Sequence, residues 1–278
     1  MRTAVVGHLE WIEFGHVERV PAAGDITHAT DPWEEPAGGG AVAAMQLARL
    51  SGDCTFYTAL GNDERGAWSR RELERLGVRV EAATREEPTR RGVVLLDSNG
   101  ERTIITLGRR LEPVSADNLP WSELDDVDAV FVTAGDAGAV RHARRARTLV
   151  ATSRIGGLLA EADVHLDAVV GSGSDPAEAF DPASLTVPPD LVVRTGGKAG
   201  GSYETSDGEA GTYESVAPPG PVVDTYGAGD SFMAGLTFAL GRGLALEEAM
   251  SLAARCGAWV VSGRGPYGSQ LAASDLER

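Results

Sequence analysis

The sequence predicts an α/β fold in a single domain spanning residues 1–278, a doubly wound, mostly parallel sheet covered by helices, with a small β-strand lid. Three observations predict it. Short apolar runs recur along the chain with polar or helical stretches between them, the rhythm of a parallel sheet with helices on its faces. Three consecutive glycines, Gly38 to Gly40, open directly into a stretch of helical composition. Two further segments, 12–30 and 90–107, are strand-like but have no evident place in a helix-covered sheet, so they are expected to form the lid.

Taken in order, residues 3–7 are an apolar run closed by Gly7 and predict a buried strand. Residues 11–20 mix apolar and charged side chains as far as the turn signal Pro21-Ala-Ala-Gly24, predicting a more exposed strand. A helix over 41–50 ends at Gly52, a strand covers 54–60, and a charged helix over 63–76 is closed by Gly77. Strands over 93–97 and 102–107 flank Ser-Asn-Gly at 98–100 and predict a hairpin. Further strands are expected at 129–133, 149–152, 168–170 and 191–193, and closing helices at 231–240 and 246–261.

Composition excludes several classes of function. With 41 acidic against 25 basic residues the net charge is −16, which opposes binding to nucleic acid, whose affinity comes mostly from Lys and Arg. No apolar stretch reaches the ~18 residues of a membrane span. Glu10 and Glu13 interrupt the start where a signal peptide needs an apolar run, so a cytoplasmic protein is expected. Cys54 and Cys256 are two and far apart, which predicts small core residues and neither a disulfide framework nor a cysteine metal site.

Chemistry concentrates at 222–236, where the small residues Gly227, Ala228 and Gly229 run directly into a helix. A helix start carries free backbone N–H groups and the positive end of the dipole, so small residues there let an anion approach closely. Asp230 sits at that start. A carboxylate beside an anion pocket has a fitting task, to take a proton from a hydroxyl whose oxygen attacks a phosphoryl group; an ordinary helix cap is the alternative. Gly38, Gly40 and Ala43 match the spacing of a dinucleotide fingerprint, but no strand is expected to lead into them. Gly197-Lys198 lacks the spacing of a P-loop, and Lys198 reads as a solvated turn residue. The five histidines show no metal-ligand spacing, and only His8 falls near the expected pocket.

Asp224-Thr-Tyr-Gly-Ala-Gly-Asp230 resembles the C-terminal signature of the ribokinase (PfkB) family of carbohydrate kinases. Gly38-Gly-Gly-Ala with 47–50 is similar to the family's N-terminal glycine pair and first helix, Gly61-Asn-Asp-Glu-Arg-Gly66 to its G-x-D-x-x-G element, and Gly100-Glu-Arg-Thr-Ile104 to its lid hairpin. Thr195-Gly-Gly-Lys-Ala-Gly200 resembles the turn that in the family lies against the ATP phosphates. These elements stand in the family's order and span most of the chain.

The resemblance implies a ribokinase-like fold and an ATP-dependent kinase that phosphorylates an alcohol of a sugar or related metabolite. Asp230 would be the base, Gly227, Ala228 and Gly229 the anion hole, and Thr195, Gly197 and Gly200 the nucleotide turn. Glu10, Gly38, Gly39 and Asp230 would meet the acceptor, and magnesium would arrive with ATP. Three positions depart from the family pattern. Ile12 stands where many members place a sugar-binding Asp, leaving Glu10, two residues earlier on the same strand face, as the candidate; Val42 replaces an Asn after the glycines. Gly171-Ser-Gly-Ser-Asp175 replaces an N-x-x-E element near magnesium, leaving Asp175 as the candidate ligand. A nucleoside kinase and a non-catalytic sugar-binding protein are the alternatives. Exposed lid edges predict a homodimer.

Overall fold

The computed structural model of the chain describes residues 1–98 and 100–276; Asn99, in the predicted hairpin turn, lies outside them. The chain opens with β1 (Thr3–Val6), leaves for β2 (Glu10–His16) and β3 (Thr30–Ala37), and returns through helix α1 (Gly39–Ser51). There follow β4 (Cys54–Gly61), α2 (Glu64–Arg75), β5 (Arg79–Arg85), β6 (Arg91–Leu96) and β7 (Arg102–Leu107). Next come β8 (Ala129–Val132), α3 (Ala137–Ala143), β9 (Thr148–Thr152), α4 (Gly156–Ala162), β10 (Ala168–Ser172) and β11 (Leu191–Thr195). The last elements are β12 (Gly201–Thr205), β13 (Ala210–Tyr213), α5 (Ala228–Gly241) and α6 (Leu246–Val260).

Among the described residues nine strands form one sheet in the order β13-β12-β11-β10-β9-β8-β1-β4-β5. It is parallel from β11 to β5, with β12 and β13 antiparallel at one edge. The order reverses at β1, which pairs with β4 on one side and β8 on the other. Open α/β sheets bind ligands beyond the strand ends at such a reversal. Alternate side chains of the central strands feed two cores. Val5, Phe56 and Phe131 face the layer of α1, α5 and α6, whereas Val6, Tyr57 and Val132 face α3, α4 and the turn of 3-10 helix at Trp121–Asp126. A sheet buried on both faces accounts for the continuous apolar runs in the sequence.

A second, separate sheet of four strands has the order β3-β2-β6-β7. Of the predicted segment 12–30 it holds only residues 12–16 and residue 30, and of 90–107 it holds β6 and β7. Residues 17–29 form no strand, and the partner of β2 is β3, which meets segment 12–30 only at its first residue. The expectation that no strand leads into Gly38 is thereby corrected. β3 carries Pro32 and Pro36, which a central strand does not accommodate; an edge strand tolerates them because one row of its N–H groups needs no partner. β2, expected to be the more exposed strand, is mostly buried, because Ile12 and Phe14 turn into the main core.

The close packing of α5 on α6 is set by glycine. A β-carbon at Gly235 would lie 2.7 Å from Cys256 Sγ and 3.1 Å from Ala253 Cα, so the two helices meet with almost no side chain between them. Gly235→Val is expected to lower stability by about 1–3 kcal/mol through overpacking, read as a lower urea midpoint at unchanged m-value.

Candidate active site

Two crossings of the chain between the sheets build the floor of the site. Leaving β1, the backbone passes Gly7 and His8 into β2, and it comes back through Gly38 to Gly40 into α1. A β-carbon at Gly40 would sit 2.6 Å from the His8 carbonyl oxygen, and one at Gly38 would sit 3.2 Å from the Glu10 nitrogen. Gly38 also has φ +87°, a region that side chains disfavour. The Gly38 N–H donates to the Tyr226 hydroxyl at 3.1 Å, which ties this crossing to the segment before α5.

That segment is pinned from both ends. Asp224 is fully buried, and its carboxylate accepts from the N–H groups of Tyr226 (2.7 Å) and Gly265 (3.1 Å). The Thr225 hydroxyl donates to the Gly100 carbonyl at 3.1 Å, so the β6–β7 hairpin rests on it. Gly227 then turns at φ +82°, against Val42, to start α5, whose first turn carries Asp230. Gly229 faces open space, and the N–H groups of Ala228, Gly229 and Asp230 precede the first helical hydrogen bond, made by Ser231 to Gly227.

Asp230 and Gly39 meet. A β-carbon at Gly39 would lie 2.7 Å from Asp230 Oδ1 and 3.4 Å from the Thr133 hydroxyl, so the starts of α1 and α5 converge beyond the end of β8. Asp230 keeps an opening to solvent but is set deep, and burial pushes its carboxyl up to about 6. Arg102 and Arg154 act to lower it, whereas Glu178 and Glu10 act to raise it.

Glu10 is buried and paired with Arg90 at 2.9 Å; burial raises its carboxyl against the pull of Arg90 and Arg110. His8 is pushed down to about 3, by burial first and then by Arg110, Arg90 and Arg154, and so stays neutral. Ile12 is wholly buried in the small sheet. Asp175 caps Ala177 and pairs with Arg154 at 2.6 Å, and the same guanidinium holds Glu178 at 2.5 Å. The other Glu178 oxygen accepts from the Ser172 N–H at 2.6 Å. Asp175, Glu178 and Ser172 help line a cavity of about 340 Å³ beside β10 and β11.

The turn from Thr195 to Gly200 follows β11. Gly197 has φ +58° and faces open space, whereas Gly200, at φ +81°, packs on β13, where a β-carbon would meet the Tyr213 carbonyl oxygen at 2.1 Å. Tyr213 stacks on Phe232 of α5 with ring centroids 5.4 Å apart, which brings the turn and Asp230 to one side of the sheet. The sequence reading did not find Glu178, Arg90, Arg102, Arg110 and Arg154. Arg102 lies within the quoted hairpin element and Arg90 at the start of the predicted lid segment, without a role read for either; Glu178 lies three residues beyond Asp175, and Arg110 and Arg154 have no local signal.

The chain matches the pfkB family carbohydrate kinase over residues 2–156 and 166–273. It belongs to the pfkB family of carbohydrate kinases. A relative from Halopiger xanaduensis described as an ATP-dependent ribose-1-phosphate kinase is 26% identical over 93% of this chain and 91% of its own length. A ribokinase structure from Thermotoga maritima superposes with a TM-score of 0.79 at 21% identity, covering 99% of this chain and 98% of that one. The Arabidopsis thaliana ribokinase solved with ribose and ATP gives 0.76 at 21%, covering 99% and 97%. The nine-stranded sheet with flanking helices is the fold of these neighbours. As a pfkB kinase the chain is an ATP-dependent phosphotransferase acting on an alcohol of a sugar or related metabolite. Among the described residues no helix is long and apolar enough to cross a membrane.

An acid limb follows from the position of Asp230. If Asp230 serves as a base it works only when ionised, so kcat/KM is then expected to fall about tenfold per pH unit below a pH near 6 in a pH–rate series. Glu35, pushed up to about 7 by burial, titrates in the same range, and Glu35→Gln is expected to leave the limb in place.

Proposed function

We propose that Asp230 is the general base of phosphoryl transfer from ATP to a sugar-like acceptor. The observation that carries this is the place of its carboxylate: in the first turn of α5, against Gly39, with an affinity for protons tuned by burial to about 6. A base tuned near the working pH is the most effective one. The acceptor hydroxyl gives its proton to Asp230 as its oxygen bonds to the γ-phosphorus, and the bond to ADP breaks on the far side. The free N–H groups that follow Gly227, on Ala228 and Gly229, receive the transferring phosphoryl oxygens, where preorganised donors stabilise developing charge. The nucleotide lies along Thr195, Gly197 and Gly200, where open space over Gly197 allows a phosphate close to the backbone.

Glu10, Gly38 and Gly39 face the acceptor, with Glu10 standing in for the carboxylate that Ile12 does not provide. The four-stranded sheet acts as the lid, excluding water from the phosphoryl group. Magnesium fits as a partner of ATP better than as a resident ion. The Asp175 and Glu178 oxygens already accept from Ala177, Arg154 and Ser172, and magnesium habitually keeps water and phosphate oxygens around one or two carboxylates. When bound it would neutralise phosphate charge beside those two residues. The need for ATP supports a cytoplasmic setting. A homodimer is supported by β7, an edge strand that exposes Ile104, Ile105 and Leu107.

Asp230→Asn is expected to lower kcat by about 10² to 10⁴. Burial raises this carboxyl, so its contribution to stability is present below pH ~4 and is lost as pH rises through about 6. At pH 7.5 the Asn variant is therefore expected to melt no lower than the parent. Wild-type turnover in the variant would make Asp230 a cap. For the dimer, light scattering at micromolar concentration is expected to give twice the chain mass, and Ile105→Lys to return it to the monomer.

A further inference from the structure

Beside Arg90, the ion-pair partner of Glu10, on the side of the site away from the proposed nucleotide turn, lies a cavity of about 620 Å³. Arg85, Arg90, Arg109 and Arg110 line it together with Glu87 and Glu112. This is an excess of guanidinium groups in a chain of net charge −16. Arg85 is structural: it holds Asp117 through two nitrogens and donates to the Glu112 carbonyl. The other three are not used up. Arg90 gives one nitrogen to Glu10, and its Nε is buried without an acceptor among the described residues. Arg110 gives only Nε to Glu112, at 2.5 Å, and Arg109 reaches Glu87 only at 3.4 Å.

We propose that the acceptor is anionic, and that Arg90, Arg109 and Arg110 hold its phosphate or carboxylate group in this cavity while its hydroxyl faces Asp230. The proposal rests on the reading of Asp230 as the base and adds the chemical class of the acceptor. Contacts connect the two ends: Asp230 against Gly39, Gly38 against Glu10, Glu10 paired with Arg90. The chain of contacts runs along the two glycines, through Gly39, Gly38 and Glu10 to Arg90. Guanidinium forks suit both oxyanions, since each presents two parallel donors to two oxygens. The low proton affinity of His8, to which Arg110 and Arg90 contribute, shows that their field reaches the pocket floor in spite of the neighbouring carboxylates. ATP does not account for these cations. The nucleotide turn follows β11, whereas the cavity is built beyond β5, and β10, β9, β8, β1 and β4 lie between those strands.

The test compares neutral and anionic forms of one scaffold, ribose with ribose 1-phosphate and ribose 5-phosphate, and glucose with gluconate. ADP release and equilibrium binding by calorimetry are measured for the parent, Arg110→Gln, Arg110→Lys and Arg109→Gln. The expected result is a kcat/KM at least about tenfold higher for an anionic acceptor than for its neutral parent. Arg110→Gln should raise KM for that acceptor about tenfold and shrink the preference, with Arg110→Lys partly restoring it. A preference for a phosphate ester or for the acid decides which oxyanion is read. Arg109 is largely exposed, so its variant keeps the test open if Arg110 proves necessary for folding. The proposal is overturned if neutral sugars are preferred, if the Gln variants weaken neutral and anionic acceptors alike, or if no anion binds. Anion binding that depends on Arg110, with no ADP released from any of these acceptors, would support the cavity as an anion site and overturn the placement of the acceptor hydroxyl at Asp230.

Discussion

The site depends on backbone lying directly against backbone where the chain crosses between its two sheets. His8 passes under Gly40 at a distance that leaves no room for a β-carbon, and Glu10 lies close under Gly38, whose positive φ disfavours a side chain. This contact lets the start of α1 reach the start of α5 and places the Asp230 carboxylate beside Gly39. It also brings Glu10, on the first strand of the small sheet, within reach of the same space. A side chain at Gly40 would have to displace the His8 carbonyl, and the acceptor and phosphoryl ends of the site would move apart together.

Around that contact, a few polar groups fix the segment that precedes α5. Asp224 is buried and costly to ionise, but its two backbone partners hold the turn before Gly227 against the C-terminal loop. Tyr226 and Thr225 link the same turn to Gly38 and to Gly100. The small sheet, the glycine crossing and α5 therefore meet at three consecutive residues. This is how preorganisation is achieved here: the N–H groups at the start of α5 are aimed before any ligand arrives.

Much of this was legible because it is contiguous. Asp224 to Asp230 is a single stretch, and its glycines and acids declare a turn running into a helix. The parallel strands were legible because burial on both faces leaves an unbroken apolar run, as at 129–132. β3 was not, since two prolines and three acids mask a strand that an edge position permits. β5 was not either, because RVEAATR is half-exposed and mixes charge into its alternation. The guanidinium groups of the cavity beyond β5 come from positions 85, 90, 109 and 110, and Arg154 reaches Asp175 and Glu178 from another part of the chain, so no spacing rule could gather them. Glu178 lies three residues beyond Asp175, and its turn toward the site depends on the Ser172 N–H and Arg154.

The small sheet is made of two excursions from the α/β core, one between β1 and α1 and the other between β5 and β8. The strands and turns assigned to the nucleotide, from β10 through the start of α5, lie outside both. On the proposed reading much of the acceptor end rides on these excursions, and Gly39 and Asp230 join it from α1 and α5. On the same reading, changes within the excursions away from Gly38 and Gly100, which hold the segment before α5, would reshape what is accepted while β10 to α5 keeps its register. Such a layout would let the acceptor side vary by itself, which fits an isoleucine at position 12 where the resemblance leads one to expect an acid.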